Sequence, residues 1–329
     1  PVNRWFRKVA IWRIVLIFVL LLLSTTGFNV QTVKADGTNP WLSTGSLITG
    51  RLYATAVLLD SGKVLVPGGT NGSAALKTVE LYDPSTSIWS STGSMKTARL
   101  AYAAVKLSDG KVLIAGGSTG SAAISAAEVY DPTTGTWSDT ANALPTGLAF
   151  PVGVLLSNGK ALIVGGTVDG TAGSALSYLY DPATNQFTSA GTMTTGRWYH
   201  SVTPLPNGKV LVTGGSSGTG TTALSSVELY DPTTGWAAGG SLPTMNVARH
   251  THTATLLATG KVLAAGGTAD MDHAIDSAEL YDPSDGSWTL TGTMTTKRYL
   301  HTAVLLSGGE VLVAGGSDDN NILATAETY

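Results

Sequence analysis

Apolar residues occur along this chain in short, nearly continuous runs punctuated by glycine-containing turns. Thr55 to Leu59 is one such run and Val64-Leu65-Val66 the next, with Ser61-Gly62 between them; Asp109-Gly110, Asn158-Gly159 and Asn207-Gly208 take the same place further on. Asn-Gly and Asp-Gly between apolar runs favour a two-residue turn with positive φ at both central residues, so the pattern predicts tight hairpins of strands a and b. Runs that do not alternate with polar residues are expected to be covered on both faces. Each second run ends in a double glycine, at 68/69, 116/117, 165/166, 214/215, 266/267 and 315/316, in steps of 48, 49, 49, 52 and 49 residues. A step that regular is a structural repeat, and it gives six units. Lacking Cβ atoms, the glycine pairs are expected to take unusual dihedrals and to let a neighbouring side chain cross the backbone.

A third strand, c, is read before Tyr-Asp-Pro at Tyr82, Tyr130, Tyr180, Tyr230 and Tyr281. Asp in the first turn position accepts a backbone hydrogen bond and Pro presets the next φ, so a tight c-to-d turn follows. Trp89, Trp137, Phe187, Trp236 and Trp288 then open strand d, with Tyr and Trp expected to serve packing. Double glycine, Tyr and Trp at this spacing resemble the kelch repeat over residues 41 to 329. The resemblance implies an all-β fold, a six-bladed kelch-type β-propeller of four-stranded blades. The sixth unit stops at Glu327-Thr328-Tyr329. Trp41 stands ten residues before Arg51, as Trp89 does before Arg99, so its segment is expected to close the last blade as the missing fourth strand.

Residues 1–35 differ from the rest: Arg4, Arg7, Lys8 and Arg13 precede the apolar run Ile14 to Leu23, and Ala35 precedes Asp36. This arrangement reads as a secretory signal, or else an N-terminal anchor, with residues 36–40 a linker to the propeller at 41–329. The chain is therefore expected to be secreted or held at the cell surface. Without that segment 14 Lys and Arg stand against 22 Asp and Glu, a formal net charge of −8, a poor match for nucleic acid or an anionic membrane. With no cysteine there are no disulfides, thiolate metal sites or cysteine nucleophiles. A monomer is expected.

In such a blade the a–b and c–d turns lie on one face; the b–c loops and d-to-a crossings lie on the other, where a ligand would meet the channel mouth. Arg51, Arg99, Arg197, Arg249 and Arg298 share one column there, and Glu80, Glu128, Glu228, Glu279 and Glu327 another. Only the third unit departs from either, with Leu148 and Tyr178. That coincidence suggests that each Arg is charge-paired with a Glu; the alternative is a ring of arginines for an acidic ligand. Three positions after the arginine stand Ala54, Tyr102, Pro151, His200, His252 and His301. The histidines are either kelch structural residues bonded to neighbouring backbone or, as neutral imidazoles, ligands to a transition metal.

Arg197-Trp198-Tyr199-His200 also resembles the Arg-x-Tyr-His stretch of the galactose oxidase group of kelch-like copper oxidases. The resemblance implies copper on Tyr199 and His200, with His252 or His301 as a second imidazole, but that group's radical cofactor needs a cysteine and this chain has none. Asp270, Asp272 and Asp276, near Asp318 and Asp319, suggest Ca²⁺ as a possible cofactor, although the glycine and terminal glutamate of an EF-type loop are missing. Tyr53, Phe150, Trp198, Tyr199 and Tyr299 could stack on a sugar ring or simply fill the core. The leading functional expectation is a binding propeller for a protein or glycan. The alternative is an exported carbohydrate-active enzyme, a sugar-acid isomerase more readily than a copper oxidase, in which the rim arginines and His200 or His252 hold a carboxylate and move a proton.

Overall fold

The computed structural model describes residues 44–219, 222–237, 242–270 and 273–329. The proposed signal and Trp41 lie outside them, so the expected closing strand is not among the described elements.

All regular elements among the described residues are strands, arranged as six antiparallel sheets in a propeller. In blade 1 strands a (Val57–Leu58), b (Val64–Pro67), c (Val79–Asp83) and d (Ile88–Thr92) lie side by side in chain order. Blades 2 to 5 repeat this, and the last blade shows Thr302–Leu305, Val311–Ala314 and Ala326–Thr328. The a strands of successive blades, from the first to the sixth, neighbour one another and form the inner wall.

Register puts the repeating residues together. Tyr82 pairs across strands with Trp89, and the same pairing recurs at Tyr130 and Trp137, Tyr180 and Phe187, Tyr230 and Trp236, and Tyr281 and Trp288. Their ring centroids lie 5.0–5.2 Å apart. Strand b is buried throughout in the first five blades. The hydrophobic cores explain why: Val57, Leu65 and Val79 of blade 1 pack with Val112, Ile114 and Tyr130 of blade 2, and four further cores join blades 2–3, 3–4, 4–5 and 5–6. No sheet covers its own faces; each depends on its neighbours.

The a–b turn differs from expectation. Positive φ falls on the glycine alone, +80° at Gly62 and +81° at Gly208, and not on the residue before it. Leu205 O accepts from Gly208 N at 3.0 Å while Leu205 N donates to Lys209 O at 2.8 Å. This is a three-residue loop, a type I turn closed by a glycine bulge, which matches strand twist as well as the two-residue form. Asn207 is favoured for another reason: its Oδ1 accepts from Lys209 N at 3.1 Å.

The c–d turn is as expected. Asp83, Asp131, Asp181, Asp231 and Asp282 each accept the N–H two residues on, at 2.8–3.0 Å. Their other oxygens face Lys63, Lys111, Lys160, Lys209 and Lys261 of the a–b turns at 2.9–3.9 Å, placing both turns on one face. The b–c loops and d-to-a crossings occupy the other.

Candidate functional site

Both terminal nitrogens of every arginine in the column donate to the chain itself. Arg99 Nη1 donates to Gly116 O at 2.8 Å and Ala126 O at 2.6 Å, while Nη2 donates to Glu128 Oε1 at 2.7 Å. Glu128 also accepts the N–H groups of Lys96 and Thr97, at 2.7 and 3.1 Å, which pins the incoming crossing to strand c. Arg51–Glu80, Arg197–Glu228, Arg249–Glu279 and Arg298–Glu327 repeat the arrangement, and across all five pairs the N–O distances are 2.5–2.9 Å. The guanidinium side chains are at most 1% exposed. Burial draws Arg99, Arg197 and Arg249 below the ordinary guanidinium value, and each partner glutamate opposes it. Burial would raise Glu327, but the bonds from Arg298 and the N–H groups of Thr295 and Thr296 prevail and hold it low.

The expectation of an arginine ring for an acidic ligand is therefore corrected: these groups face glutamate and carbonyl oxygens, not the channel. The third unit replaces the ion pair by an apolar one, with Leu148 fully buried and Tyr178 4% exposed within the core between blades 2 and 3. Its crossing is held instead by Asn142, whose Nδ2 donates to Phe187 O at 2.9 Å and whose Oδ1 accepts Phe187 N at 2.7 Å.

The histidine position lies against the double glycines. A Cβ on Gly165 would meet His200 Cε1 at 2.6 Å, on Gly214 His252 Cε1 at 2.9 Å, and on Gly266 His301 Cε1 at 2.7 Å. Each imidazole thus packs against the first glycine of the preceding blade, the crossing that the sequence suggested. His252 Nε2 bonds Thr213 Oγ1 at 2.9 Å and His301 Nε2 bonds Thr253 Oγ1 at 3.0 Å; in blade 2 the Tyr102 hydroxyl donates to Pro67 O. Among the described residues no group of three His, Asp or Glu is placed to hold a metal ion. Asp270 accepts from His273 N at 2.9 Å and pairs with His273 Nδ1 at 2.7 Å, Asp276 is exposed, and Asp272 lies outside the described residues.

Burial holds His200 and His301 down to about 3 and His252 well below its usual value. They are neutral in the folded chain but take up protons near the ordinary value of 6.5 when it unfolds. The unfolded state then binds more protons through this window, so the stabilisation is full above about pH 6.5 and is lost as pH falls toward 3. The unfolding midpoint should drop between about pH 7 and 5, before most carboxylates titrate. His301→Tyr, which copies Tyr102, should flatten that drop; a flat wild-type profile would contradict it.

The mouth itself is made by a position that the sequence did not mark as a column, although Tyr53, Phe150 and Tyr199 stood among its candidate aromatics. Two residues after each arginine column stand Tyr53, Ala101, Phe150, Tyr199, Thr251 and Leu300, all with φ between 51° and 56°. None is glycine, and the left-handed region costs each about 1–2 kcal/mol. Neighbouring blades support them: Ala101 N donates to Tyr53 O at 3.0 Å, Phe150 N to Ala101 O at 2.7 Å, Thr251 N to Tyr199 O at 2.9 Å and Leu300 N to Thr251 O at 3.1 Å. Because residue type varies from Tyr to Ala to Leu at this position, no sequence signal marks it.

Over the small Ala101, Phe150 meets Tyr53 edge-on at 6.0 Å and Tyr199 at 4.8 Å. Trp198 stacks on Tyr199 at 4.6 Å, is fully buried, and donates Nε1–H to Gly218 O at 2.7 Å. Aromatic rings from blades 1, 3 and 4 thus fill this side of the channel, and burial raises the Tyr53 and Tyr199 hydroxyls above their ordinary value. Leu300 stands 42% exposed at the same level.

A sequence profile of the Kelch motif matches residues 51–96, 99–143 and 197–235, in the first, second and fourth units. The same four-stranded order is found in the third and fifth units, which the profile does not match. No curated protein matches the chain.

Proposed function

We propose that this six-bladed propeller of kelch motifs is a binding module, secreted or held at the cell surface, that acts as a monomer and presents its b–c loops and d-to-a crossings to a protein or glycan. The observation that carries the proposal is the anatomy of that face. Partly exposed Tyr53, Phe150, Tyr199 and Leu300 form its centre, and polar loops surround them, rich in Ser, Thr and Gly and acidic in blades 5 and 6. An apolar centre within a polar rim is how protein interfaces are built. The export part rests on residues 1–35, with their basic start and apolar run.

The five engaged arginines remove the donors that a sugar-acid isomerase would need for its carboxylate, which favours the scaffold over the enzyme. A screen of the full chain against a glycan array and a peptide library should return ligands whose affinity drops about tenfold or more on Phe150→Asp. Lys209→Glu, on the opposite face, should leave them unaffected. Ligands indifferent to Phe150→Asp but lost with Lys209→Glu would move the site to the other face and overturn the proposal.

A further inference from the structure

Charge on the b–c face is unevenly distributed. The loops 118–124 and 216–224 of blades 2 and 4 have no ionisable side chain, whereas those of blades 5 and 6 carry Asp270, Asp276, Asp318 and Asp319. The two acidic loops are joined: Asp319 accepts from Ala274 N across the blade boundary and pairs with Lys297 Nζ. Asp318 and Asp276 also lie within electrostatic reach of that ammonium, so three carboxylates share one lysine. Asp276 is exposed.

An apolar step adjoins this arc. Tyr299 bridges Ser317, which bridges Ile322, so the three lie side by side, with Leu300 next in the chain. Leu300 is 42% and Ile322 37% exposed. Tyr299, Leu300 and Ile322 favour cover by an apolar group, while the neighbouring carboxylates favour a cation and repel an acidic glycan. The formal net charge of −8 beyond residue 35 draws cations over a longer range.

We infer that blades 5 and 6 receive a basic segment of a partner protein, with a Lys or Arg side chain against Asp276 and Asp318 and an adjacent bulky apolar side chain on Leu300, Tyr299 and Ile322. The inference rests on the binding-module reading and narrows it to one partner chemistry.

The test uses the full chain and three probes: a twelve-residue peptide of Lys, Arg, Leu and Phe, its counterpart with Glu and Asp in place of Lys and Arg, and Ca²⁺ alone. The cationic peptide should bind, and its affinity should fall at least about fivefold as salt rises from 50 to 200 mM. Asp276→Asn should weaken it about fivefold, and both Asp276→Lys and Leu300→Ser about tenfold or more. Asp169→Asn, in the blade 3 loop, should change nothing, and unchanged melting temperatures show that the variants are folded. Equal binding of the acidic peptide, no binding of either peptide, or indifference to Asp276→Lys overturns the inference. So does stoichiometric Ca²⁺ binding that Asp276→Asn abolishes, since it would make the arc a metal site. Array ligands lost with Phe150→Asp but untouched by Asp276→Lys would leave the binding module standing and remove only this refinement.

Discussion

Replacing Glu128 by Ala is expected to destabilise the protein by about 3–5 kcal/mol, because it strands a buried guanidinium and frees two crossing N–H groups. Arg99 is fully buried, and Glu128 is its only carboxylate within 4.0 Å among the described residues. Lys96 N and Thr97 N lose their acceptor in the same step. The third blade shows what restores the balance. There Leu148 and Tyr178 occupy the two columns and pack in a dry core. Arg99→Leu combined with Glu128→Tyr should therefore recover most of the loss, since an apolar pair of similar volume is often as stable as a buried ion pair. Denaturant unfolding of the two single variants and the double variant decides the matter. A double variant as unstable as the sum of the singles would show that the pairs are not interchangeable, and the coincidence of Leu148 with Tyr178 would lose its explanation.

Gly214→Ala is the second large effect. Gly214 has φ +57°, and a Cβ there would lie 2.3 Å from Arg249 O, 2.9 Å from His252 Cε1 and 3.1 Å from Met245 Cε. A carbonyl oxygen held by the next crossing cannot retreat as a flexible side-chain tip would. Left-handed backbone costs about 1–2 kcal/mol for a residue with a Cβ, and overpacking adds about 1–3 kcal/mol. A loss of about 2–5 kcal/mol is expected from these two terms. Gly218→Ala is the control, for nothing lies within 4 Å of a Cβ there and its φ is not positive. If the two variants melt alike, the double glycines are not the crossing points described above.

Much of this was legible in the sequence, and for a common reason. The repeat, the strand order, the Tyr and Trp pairs, the Asp of the c–d turn and the Arg with Glu columns all arise from local requirements imposed in nearly every unit. The departure of Leu148 and Tyr178 together pointed to the charge pairs before any distance was known. The a–b turn was less legible, because Asn207 and Gly208 satisfy a two-residue and a three-residue loop alike.

The chain by itself determined that no sheet could stand alone, since apolar runs without alternation need cover on both faces and only neighbouring units supply it. Tertiary structure decided what each repeated side chain does. Arginine looks the same in sequence whether it faces a ligand or a glutamate, and only the folded blade shows that each of these five turns to a carboxylate and carbonyls of its own sheet. The packing of one blade against the next holds Tyr53, Phe150 and Leu300 in a left-handed conformation that no residue type announces, and brings rings from blades 1, 3 and 4 together. Contacts across a channel depend on closure angles between distant blades, and those angles are set by packing rather than by any local stretch of chain.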